Sequence, residues 1–569
     1  MIRRRFFYNA ADIVNDCLTV VALEDGLTAK LSINACEYCV DGNGNWKSLP
    51  ADTETQTINT GQTLSFRAKL IPVEEYGIGT FTVNRYFNLK GNCMSLLFGD
   101  ETKDCFSLAG KDNAFYRLFR QNTTLIDASE LILPATTLAS YCYASFFSGC
   151  TSLISTPILP ATTLASYCYQ YMFNACASLT TAPELPATTL VDYCYQYMFN
   201  GCKSLTTPPV LPATTMAIGC YQYMFSGCTA LKEAPVLPAT SLSSQCYQYM
   251  FNTCTSLTTA PTLPATTLAN RCYMYMFCGC SKLTTAPELP ATIALNECYR
   301  AMFEVCTALK TAPKLPATTL ASSCYESMFN SCTSLTTAPS LPATTLASSC
   351  YKTMFNNCRS LNTAPDLPAT TLASSCYESM FNSCTSLTTA PSLPATTLAN
   401  NCYQSMFYNC TALTTAPELP ATTLAKNCYQ SMFRYCHGVT KAPALPATAL
   451  SDNCYAYMFS DCNYLTSAPE LPATTLEIGC YDSMFRLCRL LTSAPELFAT
   501  VLVKNCYQGM FWECNDLNYI KMLATDISAE NCLSDFTYNV AANGTYVKSK
   551  DATWENGIVV PSGWEVITE

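Results

Sequence analysis

A chain of 569 residues with a single histidine has little material for the commonest acid–base and metal chemistry. That residue, His437, stands at a variable position after Cys436 and is followed by Gly438 and Val439. No nucleophile elbow surrounds it, so neither a Ser-His-Asp nor a Cys-His arrangement is expected. Charge is also scarce: 13% of residues are charged, and the net charge is −10. A nucleic-acid partner needs a basic face, and the one basic cluster, Arg3-Arg4-Arg5, is short. No run of about 18 apolar residues occurs, so no membrane-spanning helix is expected. After the arginines, Asn9, Asp12, Asn15 and Asp16 break the chain where a signal peptide keeps its apolar core. The run "CLTVVAL" ends at Glu24-Asp25 without a small-residue cleavage site, so a secretory signal is not expected.

What the chain has is apolar residues (49%), 37 cysteines and a period. "LPATTL" or a near variant starts at 133, 159, 185, 211, 237, 263 and 289 and continues to 471, always 26 residues apart. Degenerate copies, "LFATVL" and "LATDIS", follow at 497 and 523. Fifteen copies carry C-Y-x-x-[MF]-F-x-x-C, from Cys142 to Cys514, with no insertion. Such regularity predicts a solenoid whose units bury their apolar faces against neighbours.

Placed on a helix at about 100° per residue, Cys194, Tyr195, Met198, Phe199 and Cys202 share one arc. With Leu205 they form the expected core ladder, while Gln196, Tyr197 and Asn200 face solvent. The other half of the unit, "LTTAPELPATTL", predicts a short strand at L-T-T-A ended by proline. Stacked strands would give a parallel sheet at about 4.8 Å per unit and an elongated rod. The expected fold class is therefore an α/β solenoid with short parallel strands and short helices.

The C-Y-x-x-M-F-x-x-C-x-x-L frame, as in Cys194, Tyr195, Met198, Phe199, Cys202 and Leu205, resembles the I-G-x-x-A-F-x-x-C-x-x-L core of BspA-type leucine-rich repeats. The unit is longer here, and Cys-Tyr replaces Ile-Gly. The resemblance implies a leucine-rich-repeat array and a surface interaction protein or adhesin. The N-terminal module followed by these repeats also resembles proteins of gut Bacteroidales and their phages.

Four segments are expected. Residues 1–98 alternate between β-rich runs and turn signals such as Asp41-Gly42-Asn43-Gly44, and predict a β-sandwich that serves as an attachment module. Residues 99–130 form an N-terminal cap or irregular first repeat. There Phe115, Leu118, Phe119 and Leu125 match the Tyr, Met, Phe and Leu columns, and Asn122 replaces the second cysteine. Residues 131–526 are the repeats. Residues 527–569 are a C-terminal cap, resembling a hairpin-like closing segment.

The chemical motifs point to structure. Two cysteines eight residues apart on a helix stand about 12 Å apart, beyond disulfide reach. Seven intervening residues suit zinc poorly, so both columns are expected to be small buried hydrophobes. Cys36-x-x-Cys39 is a lone pair in a predicted strand. Gly42-x-Gly44 lies in a hairpin signal rather than between a strand and a helix. Glu184 and Glu288 share a solvated edge position. No catalytic residue, metal or cofactor is expected.

The candidate binding surface is a stripe of outward tyrosines, Tyr171, Tyr197, Tyr223, Tyr249 and Tyr275, beside Gln170, Gln196, Gln222 and Gln248. Rings so placed could stack on sugars, anchor a protein, or cover the seams between units. The expected partners are a protein or glycan on a host surface, plus a larger assembly held through the N-terminal module, with an oligomer allowed. The expected function is a non-enzymatic phage virion fibre or receptor-binding protein, located on the virion or at a cell surface. A BspA-type bacterial adhesin and an intracellular scaffold are the alternatives. Abundant unpaired cysteines suit a reducing compartment.

Overall fold

The computed structural model describes residues 17–569. The Arg3-Arg4-Arg5 cluster and most of the signal-peptide reading lie outside them. The chain divides into two compact units, the first ending at Leu283 and the second starting at Thr284.

The first unit opens with seven short strands: β1 (Leu18–Ala22), β2 (Ala29–Leu31), β3 (Cys36–Val40), β4 (Lys47–Leu49), β5 (Thr63–Arg67), β6 (Phe81–Val83) and β7 (Phe87–Asn92). One helical turn, α1 (Ser95–Phe98), and β8 (Leu125–Ile132) follow. One sheet runs β4-β3-β5-β1-β7-β8, while β2 and β6 form a separate antiparallel ribbon. The expected β-sandwich is not confirmed. What exists is a six-stranded sheet whose last strand, β8, comes from the repeat side and pairs parallel to β7. Phe66 of β5 packs on Phe81 of β6 at 4.8 Å, and Phe81 stacks on Phe119 at 5.3 Å. The apolar core of this module is thus continuous with the first coil.

The repeats form coils, but the expected short helices are absent. In residues 193–202 alternate amides do different work. The N–H groups of Gln196, Met198, Asn200 and Cys202 donate three residues back, to Tyr193, Tyr195, Tyr197 and Phe199, at 3.1–3.2 Å. The N–H groups of Tyr195, Tyr197, Phe199 and Gly201 donate to Cys220, Gln222, Met224 and Ser226 of the next coil, at 2.7–3.0 Å. Every fourth residue has a left-handed backbone: Tyr193 (φ 56°), Tyr197 (57°) and Gly201 (73°). Alternate turns are therefore type II, with positive φ at their third residue. An α-helix would spend all its amides internally. This spiral of overlapping turns commits half of them to its neighbour, which offsets the left-handed residues' cost of about 1–2 kcal/mol each.

The same alternation holds in the second unit, where Tyr325, Ser327 and Phe329 donate to Cys350, Lys352 and Met354. It also holds at residues 113–121, where Phe115, Arg117 and Phe119 donate to Cys142, Ala144 and Phe146. A further coil at 531–539 accepts from the coil before it, with Tyr507 donating to Cys532 and Phe511 to Phe536.

The expected L-T-T-A strand shrinks to single parallel bridges, such as Thr181↔Thr207 in the first unit and Thr311↔Thr337 in the second. A second rail of bridges runs through the last threonine of P-A-T-T, as at Thr189↔Thr215 and Thr345↔Thr371. Proline two residues after the first site and three before the second, as Pro183 and Pro186 are for Thr181 and Thr189, removes donors a longer strand needs. Among the described residues from 133 to 518, only β9 (Ile293–Ala294) and β10 (Thr319–Leu320) reach two residues.

The second unit ends in three strands, β11 (Tyr519–Met522), β12 (Thr545–Lys548) and β13 (Glu565–Thr568), with a helical turn, α2 (Asn556–Val559), between the last two. All pair parallel, in place of the hairpin-like closing segment anticipated from the sequence. Two tryptophans tie the segment down: the indole N–H of Trp554 donates to the Ala524 carbonyl at 2.8 Å, and that of Trp564 to Ala541 at 2.7 Å.

Candidate functional site

The expected core ladder is fully enclosed. Cys194, Tyr195, Met198, Phe199, Cys202 and Leu205 are all buried. Tyr169, Tyr195 and Tyr221 stack at 5.8 Å, and Phe173, Phe199 and Phe225 at 5.5–5.7 Å. The second cysteine of each copy does more than fill space. The Cys202 thiol donates to the Phe173 carbonyl in the preceding coil at 3.1 Å, and Cys228 repeats this with Phe199. Burial pushes the Cys202 thiol up to about 12. None of the 37 cysteines is joined in a disulfide.

The remaining motifs stand apart from one another. Burial raises Cys36 to about 12, and the Cys39 thiol donates to Asn43 Oδ1 at 3.3 Å. Gly42 and Gly44 are turn glycines with φ of 60° and 79°. His437 is half-buried beside Asn463, 3.5 Å from its amide, and Tyr435 meets it edge-on. Glu184 and Glu288 are exposed. Among the described residues no three His, Cys, Asp or Glu side chains gather as a metal site requires.

The tyrosine stripe is one ladder. Tyr171, Tyr197, Tyr223, Tyr249 and Tyr275 are stacked ring on ring, with centroids 4.3–4.6 Å apart and planes within 12°. Their faces cover one another, so interior rings offer solvent their edges and hydroxyls rather than a platform for a sugar. Burial, and then the neighbouring ring's charge, push Tyr197 and Tyr223 up to about 12, so both stay protonated donors at neutral pH. Beside them the amides form a chain: Gln170 donates to Gln196, Gln196 to Gln222 and Gln222 to Gln248. Gln248 donates to the Met274 sulfur at 3.3 Å.

A second ladder escaped the sequence reading. Tyr141, Tyr167 and Tyr193 stack at 4.6 and 4.9 Å. Its signal was a tyrosine just before the first cysteine in three successive copies. The stack stops at Gly219, where an added Cβ would come within 2.4 Å of the Tyr193 ring.

The second unit fills the same columns differently. Ser327 and Thr353 hydroxyls pair at 2.7 Å, and the glutamine column becomes Arg300–Glu326 and Lys352–Glu378 ion pairs at 3.1 and 2.9 Å.

Coils of fixed length, joined by alternate amides around internal columns of rings and thiols, define a repeat protein of the solenoid class. The chain belongs to the BspA type leucine rich repeat region family, whose model matches in six copies over residues 129–258, 195–336, 246–388, 297–440 and 400–537. No match was found among curated proteins, and none among solved structures. The family places the chain among interaction and surface repeat proteins. Among the described residues no helix is long and apolar enough to cross a membrane.

Proposed function

We propose that the chain is a non-enzymatic binding protein whose contact face is the Tyr171–Tyr275 ladder with its glutamine chain. One observation carries this. Tyr197 and Ser327 occupy the same coil position with the same φ of 57°, so the backbone closes without tyrosine. A bulky residue in a left-handed conformation is costly, and Gly or Asn would serve the fold better. Stacked rings that are already ordered lose little entropy on binding, and their edges and hydroxyls suit a protein or glycan partner. The competing role, covering seams between coils, is supported by the close stacking itself.

The test replaces Tyr171, Tyr197, Tyr223, Tyr249 and Tyr275 with serine and measures glycan and host-cell binding together with Tm. Lost binding at a near-parental Tm supports the contact face. Lower Tm with retained binding supports seam covering. No change in either rejects both.

The setting we favour is a phage virion, with the N-terminal module attached to the particle; a bacterial cell surface is the alternative. The thiols support the virion, because a chain with so many buried cysteines outside disulfides suits folding in a reducing cytosol, from which lysis releases particles. Capsid or tail genes alongside, and the chain in purified particles, are the expected findings. Occurrence only beside bacterial export genes overturns the virion setting.

A further inference from the structure

At the start of the first unit lies a cavity of about 660 Å³, lined among others by Glu74, Glu75, Lys111, Asp112, Tyr116 and Tyr141. Two of its walls are rings. Tyr141 is the terminal ring of the three-ring ladder, and Tyr116 meets it edge-on at 6.5 Å and 75°. Another wall is a tight turn: the Val73 N–H donates to the Gly77 carbonyl at 2.9 Å, and the Gly77 N–H to Val73 at 2.8 Å. Gly77 is pressed against the first coil. A Cβ there would come 2.6 Å from the Asn113 carbonyl and 3.2 Å from the Tyr116 Cβ. Its φ of 59° also favours glycine. Glu74 and Glu75 therefore ride at the tip of a turn fixed to the coil that carries Tyr116.

Neither glutamate meets a cation among the described residues. Asp112 adds a third carboxylate, with Oδ1 accepting the Ser140 N–H at 3.1 Å. Among the described residues Lys111 is the one cation lining the cavity, with its ammonium over the Phe98 ring at 5.9 Å, and the Arg117 guanidinium already lies 4.4 Å from the Tyr116 ring centroid. Three carboxylates beside two rings repel anions, and a neutral sugar would leave the glutamates without a counter-charge. A guanidinium or ammonium group gains both the Coulomb attraction and the quadrupole of the Tyr141 ring.

We propose that this cavity receives the Arg or Lys side chain of a partner protein. The proposal rests on Glu74, Glu75 and Tyr141, none of them in the Tyr171–Tyr275 face, and stands whether or not that face binds.

The probe is a fluorescein-labelled tetra-arginine peptide, titrated into the full chain at about 0.15 M salt and read by anisotropy, with tetra-glutamine as the neutral control. The doubly substituted Glu74→Gln/Glu75→Gln chain is expected to bind about tenfold more weakly. Glu184→Gln/Glu233→Gln, which removes the same charge far from the cavity, is expected to leave affinity unchanged. Tyr141→Leu is expected to weaken binding about threefold or more, by removing the ring that ends the three-ring ladder. Equal affinity in the Glu74/Glu75 variant, equal loss in the charge-matched control, or comparable binding of tetra-glutamine overturns the proposal.

Discussion

Tyr195 and Tyr197 are two residues apart and answer to different physics. Tyr195 is sealed in the core, and its hydroxyl has no hydrogen-bond partner among the described residues. An unpaired buried hydroxyl costs stability, so Tyr195→Phe is expected to be neutral or to stabilise by up to about 1 kcal/mol in denaturant unfolding. A loss larger than that would reveal an unseen partner. The thiols set the response to base. Burial raises Cys202, Cys254 and Cys272 from 9.0 to about 12, so the folded state holds protons that the unfolded chain releases first. Their contribution is complete below pH 9 and is lost as pH climbs from 9 towards 12, at up to about 1.4 kcal/mol per pH step for each thiol. Circular dichroism against pH should show cooperative unfolding within that window, and a fold intact at pH 12 contradicts it. The sequence showed which residues of "CYQYMFNGC" are buried. It did not show that the second thiol donates a hydrogen bond, because Cys202 meets Phe173 from another coil.

At the scale of the coil, the correct burial pattern came from an incorrect backbone. The spiral repeats every four residues, two in and two out, whereas a helix repeats every 3.6. Over nine residues the two periods drift apart by about one residue, too little to separate on core positions alone. The distinguishing signal lay in the outward columns. Asn357, Asn409, Gly201 and Gly227 share one position, and Asn401, Asn427 and Asn453 another, as residues that accept a left-handed backbone do. Val305 breaks that preference, being β-branched at φ 59° and 42% exposed. Val305→Asn is expected to raise stability by about 1 kcal/mol, read as a higher urea midpoint at constant slope. An unchanged or lower midpoint means the valine makes a contact that outweighs its strain.

At the scale of the whole chain, the period was legible because every copy must present the same columns to its neighbours. Deleting 351–376 joins Cys350 to Tyr377 in phase. That variant is expected to melt cooperatively, within a few degrees of the parent. Deleting only 351–374 adds two residues to a four-residue rhythm and exchanges inside for outside. Its melt should be broad or absent, and equal melts for both variants contradict the shared register. The two ends were less legible, for a physical reason. Strand β8 joins the N-terminal sheet through parallel pairing with β7, and β11, β12 and β13 pair parallel across intervening segments. Parallel pairing follows no local turn rule, and hydrophobic alternation does not encode it. The coil at 531–539 was hidden by Leu533 and Phe536 standing in the Tyr and Met columns.

Because every coil donates forward and accepts from behind, its two faces are complementary and not alike. Copies of such a coil could join only head to tail, and a head-to-tail contact has no built-in limit on its length. The first coil would offer its carbonyls to the last coil of another molecule. That position is already taken: Phe81 of β6 donates its N–H to the Leu118 carbonyl at 2.7 Å, and Asn122 binds the Phe81 carbonyl at 2.8 Å and the Val83 N–H at 3.1 Å. Strand β6 thus acts as a stopper against fibre growth, and a chain shortened to begin after it would expose a polymerising end.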